Sequence, residues 1–144
     1  MYDAMSCDLV TCGTGSEIFR LNLDRGMFLK PMQSSCPSLN VRCILLSFHR
    51  NERSFHVCLI KCCGINPQNA LYAFGGEDGI AEFVDPRSRK PIGFLDVGEQ
   101  TRRLSFGVVT GKSEVTAVRY HQEGLHVALG TSTGQVLLYD LRSR

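Results

Sequence analysis

The chain has 144 residues, 43% of them apolar, and a formal net charge of +2. That length suits one ordinary domain, and the small charge supplies no global field that would demand a nucleic-acid or membrane partner. No apolar run approaches the roughly 20 residues that span a bilayer, and residues 1–8 lack the basic-then-apolar order of a secretory leader.

In chain order, residues 6–13 and 17–23 read as a β-hairpin. Gly13 and Gly15 bracket its turn, and Asn22 ends its second strand. Asp24-Arg25-Gly26 is the next turn, and a further strand starts at Met27. Residues 71–74 and 80–84 form a second hairpin, with Gly76 and Gly79 in its turn and Asp85 at its end. Residues 85–90 are a polar turn, and 91–95 return as a strand. Residues 97–112 read as a polar loop with one apolar patch, 106–109. Strands at 115–120, 127–129 and 136–141 complete the chain; Gly130 and Gly134 sit in the turn before the last, and Asp140 lies near its end.

No stretch shows a sustained 3.6-residue period, so the fold class expected is all-β. Val136-Leu137-Leu138-Tyr139 is apolar on both faces, and Ile80-Ala81-Glu82-Phe83-Val84 nearly so. Strands of that kind belong between two packed layers. The same unit also occurs three times: apolar strand, glycine turn, apolar strand, then Asn22, Asp85 or Asp140. A repeating β unit points to a propeller, a fold used for docking more than for catalysis.

These units resemble WD40 repeats, whose third strand ends in Trp-Asp; here the pairs are Leu21-Asn22, Val84-Asp85 and Tyr139-Asp140. A closer resemblance lies in Ser16-Glu17-Ile18-Phe19-Arg20-Leu21-Asn22-Leu23-Asp24-Arg25-Gly26, in Asp85-Pro86-Arg87-Ser88-Arg89, and above all in the run from Gly130 through Gln135-Val136-Leu137-Leu138-Tyr139-Asp140 to Ser143. These segments are similar to the propeller region of the nucleolar protein ten family. The resemblance implies a partial WD40-like β-propeller of about three antiparallel four-stranded blades, some incomplete. It also implies a non-catalytic scaffold in nucleolar small-subunit ribosome assembly and pre-rRNA processing. Its partners would be assembly factors of the small-subunit pre-ribosome, with pre-rRNA as a further contact and no membrane, cofactor or small-molecule substrate. A generic WD40 adaptor outside that pathway is the alternative.

Spacing sets the expected organisation. Asn22 and Asp85 lie 63 residues apart, against roughly 40–45 for one WD40 blade. Removing residues 42–62 restores 42, so that segment reads as an insertion within a propeller covering 1–144, and 98–113 as a polar inter-blade loop. Three blades do not close a ring of about 300 residues. Open apolar edges are therefore expected, worst at 136–139.

Other constellations are weaker. Cys43, His49, His56, Cys58, Cys62 and Cys63 would make a zinc-binding nucleic-acid module, but no Cys-x2-Cys pair is present, so no metal site is assigned. Seven cysteines and no leader argue for a reducing compartment, with the nucleus and nucleolus implied by the resemblance. The glycine turns are followed by strands, unlike phosphate-binding loops that open a helix. His121 and His126 lack an acid and nucleophile at useful spacing, and Ser132 and Thr133 read as local hydrogen-bonders. No catalytic residue is assigned. Arg87, Arg89 and Lys90 are the candidate contacts to rRNA phosphate or to a partner, with Arg102-Arg103 a second basic pair.

Overall fold

A computed structural model describes residues 1–4, 6–12, 17–33, 60–105 and 113–142. These residues form three antiparallel meanders. The first is β1 (Tyr2–Asp3), β2 (Asp8–Cys12), β3 (Glu17–Asn22) and β4 (Met27–Gln33). The second is β5 (Ile60–Ile65), β6 (Tyr72–Gly76), β7 (Ile80–Asp85) and β8 (Lys90–Asp96). The third is β9 (Val115–Tyr120), β10 (His126–Thr131) and β11 (Val136–Asp140). Within each sheet, strands neighbour one another in chain order. In each of the three repeated hairpins the two strands pair antiparallel: Val10 opposite Arg20, Ala73 opposite Phe83, and Leu129 opposite Leu137.

The middle sheet explains the strands that are apolar on both faces. Its pleat sends Tyr72, Phe74 and Val84 into a cluster with Val10, Ile18 and Met32 of the first sheet. The alternate residues, Ala73, Ala81 and Phe83, join Val115, Val118, Val127 and Leu129 of the third. A period-2 pattern with both phases apolar is what a sheet needs when a neighbour covers each face. Each fully buried Val or Leu contributes about 1.5–3 kcal/mol to holding the sheets together. Close approach on the third-sheet side dictates small residues. A Cβ on Gly75 would collide with the Val115 side chain, so only glycine fits there.

The segment from Val97 carries a helix, α1 (Val97–Leu104), where a loop was expected. Asp96 caps it by accepting from the Glu99 N–H at 2.8 Å. Arg102 and Arg103 occupy its last turn, complementing the helix dipole. Val97 and Thr101, one turn apart, are its buried residues. Eight residues with one buried apolar side chain leave too little period to register against the polar background.

Ile60, Lys61 and Cys62 lie inside β5, opposite Gly76 and Gly75. The end of the segment read as an insertion therefore belongs to the second blade, and Cys62 packs on its core. Residues 42–59 lie outside the described residues, as do Gly13, Gly15 and the apolar patch 106–109.

Candidate interaction surface

Asn22, Asp85 and Asp140 do the same physical job at three strand ends. Asn22 Oδ1 accepts the Arg25 N–H at 2.9 Å. Asp85 Oδ1 accepts the Arg87 N–H at 2.9 Å, and Asp140 Oδ1 accepts the Arg142 N–H at 2.9 Å. A short acceptor at the end of a strand folds the chain back on itself, in place of the next ladder bond. Asp140 also takes a two-pronged contact from the Arg142 guanidinium at 3.0 and 2.7 Å. That contact holds its carboxyl well below the usual carboxylate range.

The turn glycines divide. Gly79 and Gly134 have φ of +79° and +81° and sit in the tight turns assigned to them. Gly76 and Gly130 are instead strand residues, opposite Ile60 and Val136. At Gly130 the β9–β10 register shifts, and a Cβ there would meet Ala117 Cβ at 3.3 Å. The turn itself is closed by the Thr131 N–H donating to Gln135 O at 2.9 Å.

Arg87 and Arg89 are exposed in the β7–β8 turn, and Lys90 is exposed at the first position of β8. Among the described residues, none of the three takes part in an ion pair. The turn beneath them is built rather than loose. Asp85 O accepts from the Arg89 N–H at 2.8 Å, and Arg89 sits at φ of +55°. From the neighbouring blade, Arg20 Nη1 donates to Pro86 O at 3.1 Å. Arg20 is itself nearly buried and paired with Asp8 at 3.3 Å, and Asn22 Nδ2 donates to the other Asp8 oxygen at 2.8 Å. Asp8, Arg20 and Asn22 thus tie the basic turn of the second blade to the first. Arg20 was not singled out from the sequence. Its signal was a lone cation in a strand whose neighbour Ile18 faces the core.

A second buried contact spans the same two blades. The Tyr72 hydroxyl donates to Asp3 Oδ2 at 2.9 Å, and the Ser6 hydroxyl donates to the same oxygen at 2.7 Å. Burial first, and the Asp3 carboxylate second, push the Tyr72 phenol above its ordinary range. Between the second and third blades, Asn66 Nδ2 donates to Gly124 O at 2.8 Å, and Lys61 pairs with Glu114 at 2.6 Å.

The remaining candidates have local partners. His121 Nδ1 accepts from the Glu123 N–H at 3.3 Å, and His126 lies 3.8 Å from Asp140. Ser132 Oγ accepts from the Glu114 N–H, and the Thr133 and Thr131 hydroxyls are hydrogen-bonded to each other at 2.9 Å. Arg103 pairs with Glu99 one turn back on α1 at 2.6 Å. Cys43, His49, His56 and Cys58 fall outside the described residues, and the described ones contain no group of three metal-ligating side chains.

Face-to-face antiparallel meanders, joined in chain order and packed through both faces of the middle sheet, define a β-propeller domain. The family described as "Nucleolar protein 10-like, N-terminal domain" matches residues 1–144, and the chain belongs to that family. The chain is 38% identical over 142 residues to Nucleolar protein 10 of Xenopus tropicalis, with 99% of this chain and 17% of that protein covered. It is 35% identical over 142 residues to the Ribosome biogenesis protein enp2 homolog of Schizosaccharomyces pombe, covering 99% of this chain and 20% of that protein. Against Ribosome biogenesis protein ENP2 of Saccharomyces cerevisiae the identity is 32% over 143 residues, covering 99% and 16%. The chain thus spans at most a fifth of the length of these relatives. Among solved structures, a chain of the "Crystal Structure of Mitotic Checkpoint Complex" superposes with a TM-score of 0.68 at 17% identity. That match covers 99% of this chain and 34% of that one, and it carries the fold alone.

Proposed function

We propose that this propeller segment is a non-catalytic docking scaffold in ribosome biogenesis, working on small-subunit precursors in the nucleolus. Two relatives carry ribosome biogenesis in their names, which supports the pathway. The observation that carries the docking role is the β7–β8 turn. Arg87, Arg89 and Lys90 stand exposed on a turn held by Asp85 from below and by Arg20 from the side. Cations on an ordered platform neutralise phosphate or acidic side chains with little further ordering cost. Assembly factors of the small-subunit pre-ribosome are the proposed partners, and pre-rRNA phosphate the proposed contact of the basic turn. Binding here proceeds through shape and charge, with no bond made or broken by the protein.

The test uses the full-length protein. It should concentrate in the nucleolus, and in a gradient it should travel with early small-subunit precursors. Depletion should lower mature small-subunit rRNA. Replacing Arg87, Arg89 and Lys90 together by Glu should reduce ultraviolet crosslinking to pre-rRNA several-fold while leaving the fold intact. Normal rRNA processing after depletion would instead favour an adaptor outside the pathway. Unchanged crosslinking by the triple variant would remove the basic turn from the RNA contact.

A further inference from the structure

We infer that Ser88, in the β7–β8 turn, is a phosphorylation site, and that its phosphate switches off the basic turn around it. The switching half rests on the docking role given to that turn above. Ser88 is exposed, between the exposed side chains of Arg87 and Arg89 and two positions before Lys90. Its hydroxyl is the loosest among the described serines. Ser88 Oγ donates to Asp85 O at 3.4 Å and accepts from the Lys90 N–H at 3.4 Å, both long for hydrogen bonds. By contrast, Ser6 donates to Asp3 at 2.7 Å and Ser105 to Thr101 O at 2.8 Å. Ser113 is buried and bonded to Thr133 at 3.2 Å, and Ser132 accepts from the Glu114 N–H at 3.1 Å. An exposed hydroxyl that gives up so little is free to enter another enzyme's active site.

The backbone yields as well. Arg89, the next residue, sits in the left-handed region at φ of +55°, where a side chain is strained. Opening the turn into a kinase groove breaks the Arg89 N–H bond to Asp85 O and the Arg87 N–H bond to Asp85 Oδ1, and it releases that strain. Cations on both sides of the acceptor suit a kinase whose peptide groove is lined by carboxylates. There Ser88 Oγ attacks the γ-phosphorus of ATP. The bond from that phosphorus to the bridging oxygen breaks, and ADP leaves with the electron pair. The hydroxyl proton passes to a carboxylate of the kinase.

Charge sets the effect. Residues 85–90 hold one carboxylate, Asp85, and three cations, a formal charge of +2. Phosphoserine carries about −1.5 to −2, so the modified turn is close to neutral. Its oxygens lie next in the chain to two guanidiniums and compete for the charge-assisted bonds these would give an outside anion. Both contacts of the Ser88 hydroxyl are within its own turn, so the phosphate changes the surface and not the packing of the blades.

The test uses full-length protein purified from growing cells with phosphatases inhibited. Mass spectrometry of a digest cut away from Arg and Lys should find phosphate on Ser88. Binding to a single-stranded RNA oligomer of fixed sequence should be about tenfold weaker for the phosphorylated form, and the log–log salt slope shallower by roughly 1–1.5. Phosphatase should restore both readings, and Ser88→Ala should bind tightly throughout with an unchanged melting temperature. No phosphate on Ser88, with the Arg87, Arg89 and Lys90 triple variant still binding weakly, would overturn this proposal alone. Phosphorylated protein that binds as tightly as the dephosphorylated form would overturn the switch. A triple variant that binds RNA as the wild type does would remove the docking reading, and the switch with it.

Discussion

Tyr72 shows how one side chain serves both packing and polarity. Its ring sits in the core between the first two blades, 6.2 Å and edge-on from Phe74, while its hydroxyl reaches Asp3. Tyr72→Phe should destabilise the chain by about 1–2 kcal/mol in urea unfolding, since Asp3 loses a donor while buried. The pH dependence follows from the raised phenol. A group whose folded pKa exceeds its unfolded value of about 10 gives stability that is complete below pH 10. That stability is lost as pH rises through the folded value. Burial raises Tyr120 in the same direction. Alkaline titration followed by phenolate absorbance should therefore show these tyrosines ionising late, together with unfolding. Early, reversible ionisation of all tyrosines would contradict their burial.

Arg89 separates function from stability at the same scale. It holds a left-handed backbone, φ of +55°, that glycine adopts without penalty. Arg89→Gly should keep stability or raise it by up to about 1 kcal/mol, because it relieves that conformation. Binding to an anionic partner should nevertheless weaken. A fall in the melting temperature would show that the Arg89 side chain supports the fold.

Among the elements, α1 is the one that the residue pattern concealed. Asp96 and Glu99 stand at capping-box spacing, but Gly98 and the run Glu-Gln-Thr-Arg-Arg read as a loop. The helix is anchored by burial of Val97 and Thr101 and by Gln135 Nε2 donating to Ser105 Oγ at 2.6 Å. Both anchors are tertiary. Asp96→Ala should cost about 1 kcal/mol through loss of the cap, measurable by urea unfolding. The strands, by contrast, were legible because apolar alternation survives without context. Residues 115–120 coincide with β9, and the expected segments 17–23, 80–84 and 136–141 match β3, β7 and β11 to within one residue at each end. The register shift that places Gly130 inside β10 was not legible, since a glycine before a turn looks the same whether or not it pairs.

At the scale of the whole molecule, stability depends on faces shared between sheets. Leu129 is completely buried between the second and third blades. Leu129→Ala should cost about 2–5 kcal/mol, because blades packed on both sides collapse poorly around a void. The outer face of β11 is the converse. Val136 and Leu138 are 74% and 72% exposed, two residues apart on one face of a strand that pairs with β10 alone among the described strands. Apolar strands with an open edge template pairing with other chains. Expressed by itself, the 144-residue chain should self-associate in sedimentation velocity, and Val136→Thr with Leu138→Thr should shift it toward monomer.

The sequence by itself determined the three repeated hairpins, their glycine turns at Gly79 and Gly134, and the polar strand ends Asn22, Asp85 and Asp140. Those features depend on contacts within a few residues: alternation, positive φ and a short side-chain acceptor. Only the tertiary structure decided which cation would be buried and that residues 60–62 join the second blade. Arg20 and Pro86 are 66 positions apart, and Asp3 and Tyr72 are 69. Such pairs form because packing one blade on the next brings distant strand faces together, and no local pattern along the chain records that geometry.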